Sequence, residues 1–232
     1  MKETRVAVLA GTPVDTAMGV EYIKNKNSDV EGQCLLPLYE PVAESCDAQL
    51  GFQYSDDDAK LAVMDNIFDL LIEDGVRDFF IYCNSLSGSF DFDSYAVKKS
   101  LETGGDVRIY TPLQVYRGLG AAYDRLGVIA ANNLSAHAIE ETLTGSHPGI
   151  YVIGSGNMAI VSDIEEGLDP AEICEKRGLA EVAAYMKACG AEALILGCTH
   201  FPYLKEELAK LTDLPLIDPA DKMYEALTDA IR

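Results

Sequence analysis

Apolar residues in this chain come in short runs, and between the runs they recur at every third or fourth position. The runs "RVAVLAG" (5–11), "DFFIYCN" (78–84), "VRIYT" (107–111), "LGVIAA" (126–131), "GIYVIG" (149–154), "ALILGC" (193–198) and "PLIDP" (215–219) have the length and composition of strands. Between them, "DDAKLAVMDNIFDLLIEDG" (57–75) puts Leu61, Met64, Ile67, Phe68, Leu71 and Ile72 on one helical face. "DPAEICEKRGLAEVAAYMKACG" (169–190) opens on an Asp-Pro start signal and closes on Gly190, which predicts a helix over that span. Strand, helix, strand in alternation predicts an α/β fold with parallel sheets covered by helices.

The pattern also repeats. "DGVRDFFIYCNS" (74–85) and "CGAEALILGCTH" (189–200) each run from a helix end through Gly and an apolar strand to Cys and a polar pair. Their cysteines, Cys83 and Cys198, stand 115 positions apart, about half the chain. "RVAVLAGTPVD" and "RLGVIAANNLS" begin the two halves in the same way. Buried strands look alike by chance, but a cysteine at the same place in both does not follow from that, so a duplicated α/β unit is expected.

Composition narrows the partners. The 232 residues carry 38 acidic against 18 basic side chains, a net charge of −20. Such a surface repels nucleic acid phosphates and anionic membranes, so neither is expected as a partner. The N-terminal "VAVLA" is too short for a signal-peptide core, and no run approaches the ~20 apolar residues of a membrane span. A cytoplasmic protein with reduced thiols is expected. The six cysteines (34, 46, 83, 174, 189, 198) form no Cys-x-x-Cys pair and no zinc spacing, so no disulfide and no metal site is expected.

In open parallel sheets, sites form at the carboxyl ends of strands, and Cys83 and Cys198 both stand there. A helix N-terminus beside such a thiol favours the thiolate. Two thiols on opposite sides of a bound molecule suit the removal of a proton from one face of a carbon and its return to the other, which needs no cofactor. Cys34, Cys46, Cys174 and Cys189 read as small packed hydrophobes. His200, two residues after Cys198, is placed to tune or protonate that thiol, whereas His137 and His147 read as structural.

These residues carry a resemblance. "GCTHFPYL" (197–204) resembles the C-terminal signature of glutamate racemases, and "CNSLSG" (83–88) resembles their first-half Cys-Asn-Thr-Ala-Ser. "GTPVDTAMG" (11–19) is similar to their Asp-Ser-Gly loop, "VSDIEEG" (161–167) to their Val-Glu-Glu-Gly segment, and "LIDPA" (216–220) to their closing strand. The chain thus resembles the aspartate/glutamate racemase superfamily, nearer its glutamate branch. The resemblance implies a cofactor-independent racemase of two pseudosymmetric α/β domains with the active site in the cleft between them, often a homodimer. The first domain would comprise 1–110 with 213–232, and the second 111–212. Cys83 would take the α-proton of the D-enantiomer and Cys198 that of the L-enantiomer. Asp15 would support Cys83, while His200 and Glu165 would support Cys198. Asn84, Ser85 and Thr199, joined by Thr16, would hold a small acidic amino acid, glutamate or aspartate.

The chain also departs from the family pattern. "DTAMGV" keeps one glycine, Gly19, where the family loop has several. The family's Pro-Tyr-Gly carboxylate loop has "LPLYEP" (36–41) as its nearest counterpart. "AANNLSAH" replaces a Thr-rich turn and offers Asn132 and Asn133 as ligands. His200 stands where the aspartate branch carries Glu, which favours glutamate. The alternatives left open are a dicarboxylate isomerase or decarboxylase on the same scaffold, a catalytically silent amino-acid-binding protein, and a thiol redox sensor.

Overall fold

The computed structural model describes residues 2–27 and 33–232. The chain divides into two compact units, residues 1–112 with 223–232, and residues 113–222.

The first unit contains β1 (Lys2–Ala10), α1 (Pro13–Lys26), β2 (Gln33–Pro41), α2 (Cys46–Tyr54), α3 (Asp57–Glu73), β3 (Asp78–Ile81), α4 (Asn84–Ser89), α5 (Phe92–Thr103) and β4 (Arg108–Tyr110). Its four strands are all parallel, in the order β2-β1-β3-β4. The core strands are apolar on both faces: Val6 to Ala10 and Phe79 to Ile81 have no exposed surface. Helix α3 lays Met64, Phe68, Leu71 and Ile72 against this sheet, with the Phe68 and Phe79 rings stacked 4.1 Å apart. Leu61 and Ile67, expected on the same face, are only half-buried.

The second unit follows with α6 (Pro112–Leu119), β5 (Arg125–Ala130), α7 (Asn133–Ser146), β6 (Tyr151–Gly156), α8 (Met158–Glu165), α9 (Pro170–Lys176), α10 (Leu179–Ala188), β7 (Ala193–Gly197), α11 (Lys205–Leu211) and β8 (Leu216–Ile217), and α12 (Pro219–Ile231) leads back to the first unit. Its sheet has the order β6-β5-β7-β8, again all parallel. Relative to chain order this is the arrangement of the first sheet. The likeness extends to single bonds: Val42 N–H donates to Ala10 O at 2.9 Å, and Asn157 N–H donates to Ala130 O at 3.0 Å. The core differs in texture, being built from aliphatic side chains such as Ile129, Ile160, Ile173, Leu194 and Leu196.

Four expectations need correction. Strand β2 was not anticipated, because Pro37 and Pro41 break the apolar run. It is an edge strand paired only to β1 among the described residues, where a missing N–H is tolerated. "LPLYEP" is therefore the second half of a strand rather than a loop. The helix expected over 169–190 is two helices, broken at Gly178, which adopts φ +62°. "DTAMGV" lies inside α1, not in a loop. Its Gly19 is there for packing, since a β-carbon would sit 2.8 Å from atoms of Tyr82 and Val8. Finally, the expected return to the first unit at 213 comes too early. Leu216 and Ile217 pair with Leu194 and Ile195, which keeps β8 in the second unit, and the chain returns within α12.

Among the described residues, no helix is long and apolar enough to cross a membrane.

Candidate active site

Each unit ends its third strand in a buried cysteine. In the first unit β3 runs on through Tyr82 to Cys83, which is the residue before α4 and makes no side-chain cap to it. Cys83 Sγ lies 3.3 Å from Ser85 Oγ and 3.6 Å from Gln49 Nε2, and Gln49 Nε2 donates to Ser85 Oγ at 3.1 Å. Ser85, expected to hold substrate, is thus turned onto the thiol. Gln49, on α2, was not singled out from sequence at all.

Asp15 and Thr16 sit in the first turn of α1. Thr12 caps that helix, its Oγ1 accepting from Asp15 N–H at 3.3 Å, so Asp15 occupies the acidic position of a capping box. Asp15 is buried. Thr16 has no exposed surface, and its hydroxyl donates to Thr12 O at 2.7 Å inside the helix. That bond argues against a substrate-holding role for Thr16. Asn84 is buried in the first turn of α4.

In the second unit β7 closes on Gly197, and "CTHFPYL" forms a turn and a 3₁₀ segment, Phe201–Leu204, before α11. Phe201 and Leu204 are buried in the aliphatic core, which fixes the turn from below. Cys198 O accepts from Phe201 N–H at 3.0 Å. Cys198 Sγ lies 3.6 Å from His200 Nδ1, and His200 Nε2 lies 3.2 Å from Glu165 Oε1. These three residues come together as expected. With Glu165 accepting from Nε2–H, Nδ1 can take the thiol proton and, once charged, return it. Thiol, imidazole and orienting carboxylate form the nucleophile–base–orienter chain of activated thiols.

Glu165 is the last residue of α8, and two devices hold it there. Gly167 at φ +76° lets Leu168 N–H donate back to Asp163 O at 3.1 Å, closing the helix. Asp163, itself buried, accepts from Arg177 Nη2 at 2.8 Å and Lys176 Nζ at 3.0 Å. The Arg177 guanidinium is the main reason the Asp163 carboxyl titrates low, at about 2; burial opposes the shift and Lys176 adds to it. Tyr203 Oη, donating to Leu168 O at 3.0 Å, ties the 3₁₀ segment to the same loop.

Thr199 is buried beside Cys198. Asn132 is placed otherwise than expected: it caps α7, its Oδ1 accepting from Ser135 N–H at 2.8 Å. It is the counterpart of Thr12, and Ser135 is the counterpart of Asp15. Two further buried polar residues of the second unit, Tyr116 and Asp218, escaped sequence reading. Burial, with Asp218 and Cys198 adding to it, pushes the fully buried Tyr116 hydroxyl well above its ordinary value, so it stays protonated. Asp218 is buried at the start of α12, accepting from Ala220 N–H at 3.0 Å. His137 lies 3.4 Å from Glu141 on the surface, and His147 Nε2 lies 3.1 Å from the Arg117 carbonyl.

At the opposite end of the first sheet lies a cavity of about 410 Å³ lined by Arg5, Arg77 and Arg108. Arg5 is engaged by Asp74, Arg77 donates to the carbonyls of Ile72 and Val76, and Arg108 makes a two-pronged pair with Asp78 at 2.7 Å. These cations serve helix ends and a buried carboxylate. Among the described residues no group of three or more His, Cys, Asp or Glu is placed to hold a metal ion.

Residues 112–227 match the family model described as Asp/Glu/Hydantoin racemase. The chain is 37% identical over 101 residues to a glutamate racemase from Limosilactobacillus reuteri (strain DSM 20016), covering 42% of this chain and 38% of that protein. It is 26% identical over 162 residues to a glutamate racemase from Neisseria meningitidis (strain MC58), covering 66% of this chain and 56% of that protein. The matched stretches therefore span well under two thirds of those relatives. The fold is similar to the crystal structure of glutamate racemase from Francisella tularensis in complex with D-glutamate, with TM-score 0.72 and 21% identity over 98% of this chain and 80% of that one. It is also similar to an aspartate racemase homologue from Pyrococcus horikoshii OT3, with TM-score 0.69 and 15% identity over 99% of this chain and all of that one.

Proposed function

The chain belongs to the Asp/Glu/hydantoin racemase family, and from that premise we propose that it is an amino-acid racemase using Cys83 and Cys198 as its two proton-transferring groups. The observation that carries this reading is the buried cysteine at the end of the third strand in both units, each with hydrogen-bonding company of its own. Inversion requires that a proton leave one face of the α-carbon and arrive on the other. One thiolate accepts the α-proton while the other thiol gives one up, so a turnover leaves the pair with the roles exchanged and no net proton consumed. The reaction needs no cofactor for this exchange. Following the family resemblance, Cys83 serves the D-enantiomer and Cys198 the L-enantiomer.

His200 and Glu165 support Cys198, and Asp15 supports Cys83 from the adjoining helix. Backbone N–H groups at the strand ends, with Asn84 and Thr199, hold the substrate's carboxylate and ammonium groups, which reconciles an anionic substrate with a chain of net charge −20. Glutamate is the preferred substrate of this reading, since the matched relatives are glutamate racemases. We assign the active form to a cytoplasmic homodimer, which analytical ultracentrifugation would test for the oligomer.

The decisive experiment is proton NMR of the purified protein in D₂O with L-Glu, D-Glu, L-Asp and D-Asp separately. Loss of the α-proton signal with appearance of the opposite enantiomer is expected for glutamate, abolished by both Cys83→Ala and Cys198→Ala. No exchange with any of the four would overturn the acidic-substrate reading. Exchange surviving either substitution would overturn the two-thiol mechanism.

A further inference from the structure

We propose that Gln49 is the hydrogen-bond donor that orients the Cys83 thiol and favours its thiolate, an assignment that rests on the racemase reading above. Its amide nitrogen stands 3.6 Å from Cys83 Sγ and 3.1 Å from Ser85 Oγ, and Ser85 Oγ is 3.3 Å from the same sulfur. The three side chains close a triangle in which two neutral donors are directed at one sulfur. A thiolate accepts hydrogen bonds more strongly than a thiol, so donors held in place stabilise the anion. Neither an amide nor an alcohol hydroxyl ionises near neutral pH. Gln49 therefore stabilises charge on Cys83 without relaying a proton.

Glycine at position 11 is what makes room for this arrangement. A β-carbon there would lie 2.0 Å from Gln49 Nε2, 2.1 Å from its Cδ and 2.5 Å from its Oε1. Gly11 is not among the positive-φ glycines, so its backbone does not call for glycine. The amide of Gln49 does, because it occupies the volume any side chain at 11 would fill. The helix that presents Gln49 is itself fixed, with Ser45 Oγ accepting from Ala48 N–H at 3.2 Å and Phe52 buried. Gln49 is thus presented by α2 into the space that Gly11 leaves, where its amide donates to Cys83 Sγ and Ser85 Oγ.

The test is a ¹³C NMR titration of the full chain labelled at the cysteine β-carbons, with Cys83 assigned by loss of its signal in Cys83→Ser. Gln49→Leu removes the donor and keeps the bulk. Gly11→Ala leaves Gln49 chemically intact and displaces its amide. Both are expected to raise the Cys83 titration midpoint by about one pH unit while the Cys198 signal stays put. The carboxyl groups on the elements at this end of the sheet, Asp15 of α1, Glu40 of β2, Asp47 of α2 and Asp91 before α5, are unchanged in every variant. A purely structural role for Gln49 would move neither midpoint. Should Gln49→Leu fail to fold, Gly11→Ala still decides, because its three nearest contacts are all atoms of Gln49. A Cys83 midpoint unmoved in the folded variants overturns the assignment. A midpoint that moves in a protein racemising no amino acid keeps the assignment and rejects the racemase reading.

Discussion

Cys83 and Cys198 occupy matching places in two units of the same sheet order, yet their neighbours differ in kind. Cys198 stands against an imidazole that is itself held by a carboxylate. Cys83 stands against an amide and a hydroxyl. The first arrangement can pass a proton along; the amide and hydroxyl of the second steady a charge. A repeated fold fixes where the reacting atom stands, because the strand end is set by the sheet. The partners come from loops and helices that the sheet does not dictate, so they are free to diverge. The acid of the second unit arrives on α8, after the second strand, while the first unit carries its acid, Asp15, in the helix after the first strand, where the second has Ser135.

The comparison breaks most visibly at His200. If the imidazole relays the proton of Cys198, His200→Asn should lower turnover of the L-enantiomer by about 100- to 1,000-fold, the scale of a lost general acid–base group. Gln49→Leu, which removes only a static donor, should cost about tenfold. Steady-state kcat and KM for the two enantiomers read both. Equal losses at the two positions would mean that the relay and the fixed donors do the same work. Glu165→Gln keeps His200 in place and removes the charge opposite it, so a loss between these two, about 10- to 100-fold, is expected in kcat with KM little changed.

The glycines at the two strand ends sharpen the contrast in a different currency, stability. A β-carbon at Gly197 would lie 2.7 Å from Ile139 Cδ1 and 3.0 Å from the Ile129 carbonyl, so the wall it meets is core and backbone. Gly197→Ala should therefore destabilise by about 1–3 kcal/mol. Gly11→Ala meets only the end of a flexible side chain and should cost under about 1 kcal/mol. Urea unfolding of the two variants measures both. A large loss in Gly11→Ala would show that Gln49 cannot yield.

How much of this was legible in the chain follows from the range of the interactions. All the described strands but β2, the α/β class and the two strand-end cysteines could be read, since each rests on local apolar runs. The His200 contact was legible because it is two residues from Cys198. Glu165 was found through its resemblance, not its spacing. Strand β2 stayed hidden because Pro37 and Pro41 disguise an edge strand, and the break at Gly178 because a single glycine interrupts an otherwise continuous pattern. Gln49 had no local signal: it reaches Cys83 across 34 positions, and only through the space left by Gly11. The backbone bonds of Thr16 and Asn132 were not legible, because a hydroxyl or amide near a helix start serves the helix backbone as readily as a ligand.

The smallest expected effect concerns the support of Glu165 rather than the thiols. Asp163 braces α8 through Arg177 and Lys176, and its carboxyl titrates at about 2 in the folded protein against 3.8 for the ordinary group. A folded-state value below the unfolded one means that the pair contributes stability above about pH 4, and that this contribution drains away as the pH falls towards 2. Asp163→Asn should accordingly lower the urea midpoint near neutral pH and flatten its fall between about pH 4 and pH 2. Asp163 meets Lys176 and Arg177 in the second unit, so the same substitution should leave the Cys83 signal untouched while loosening the contact between Glu165 and His200. An acid limb of equal steepness in wild type and Asp163→Asn would remove Asp163 from the account of how Glu165 is held.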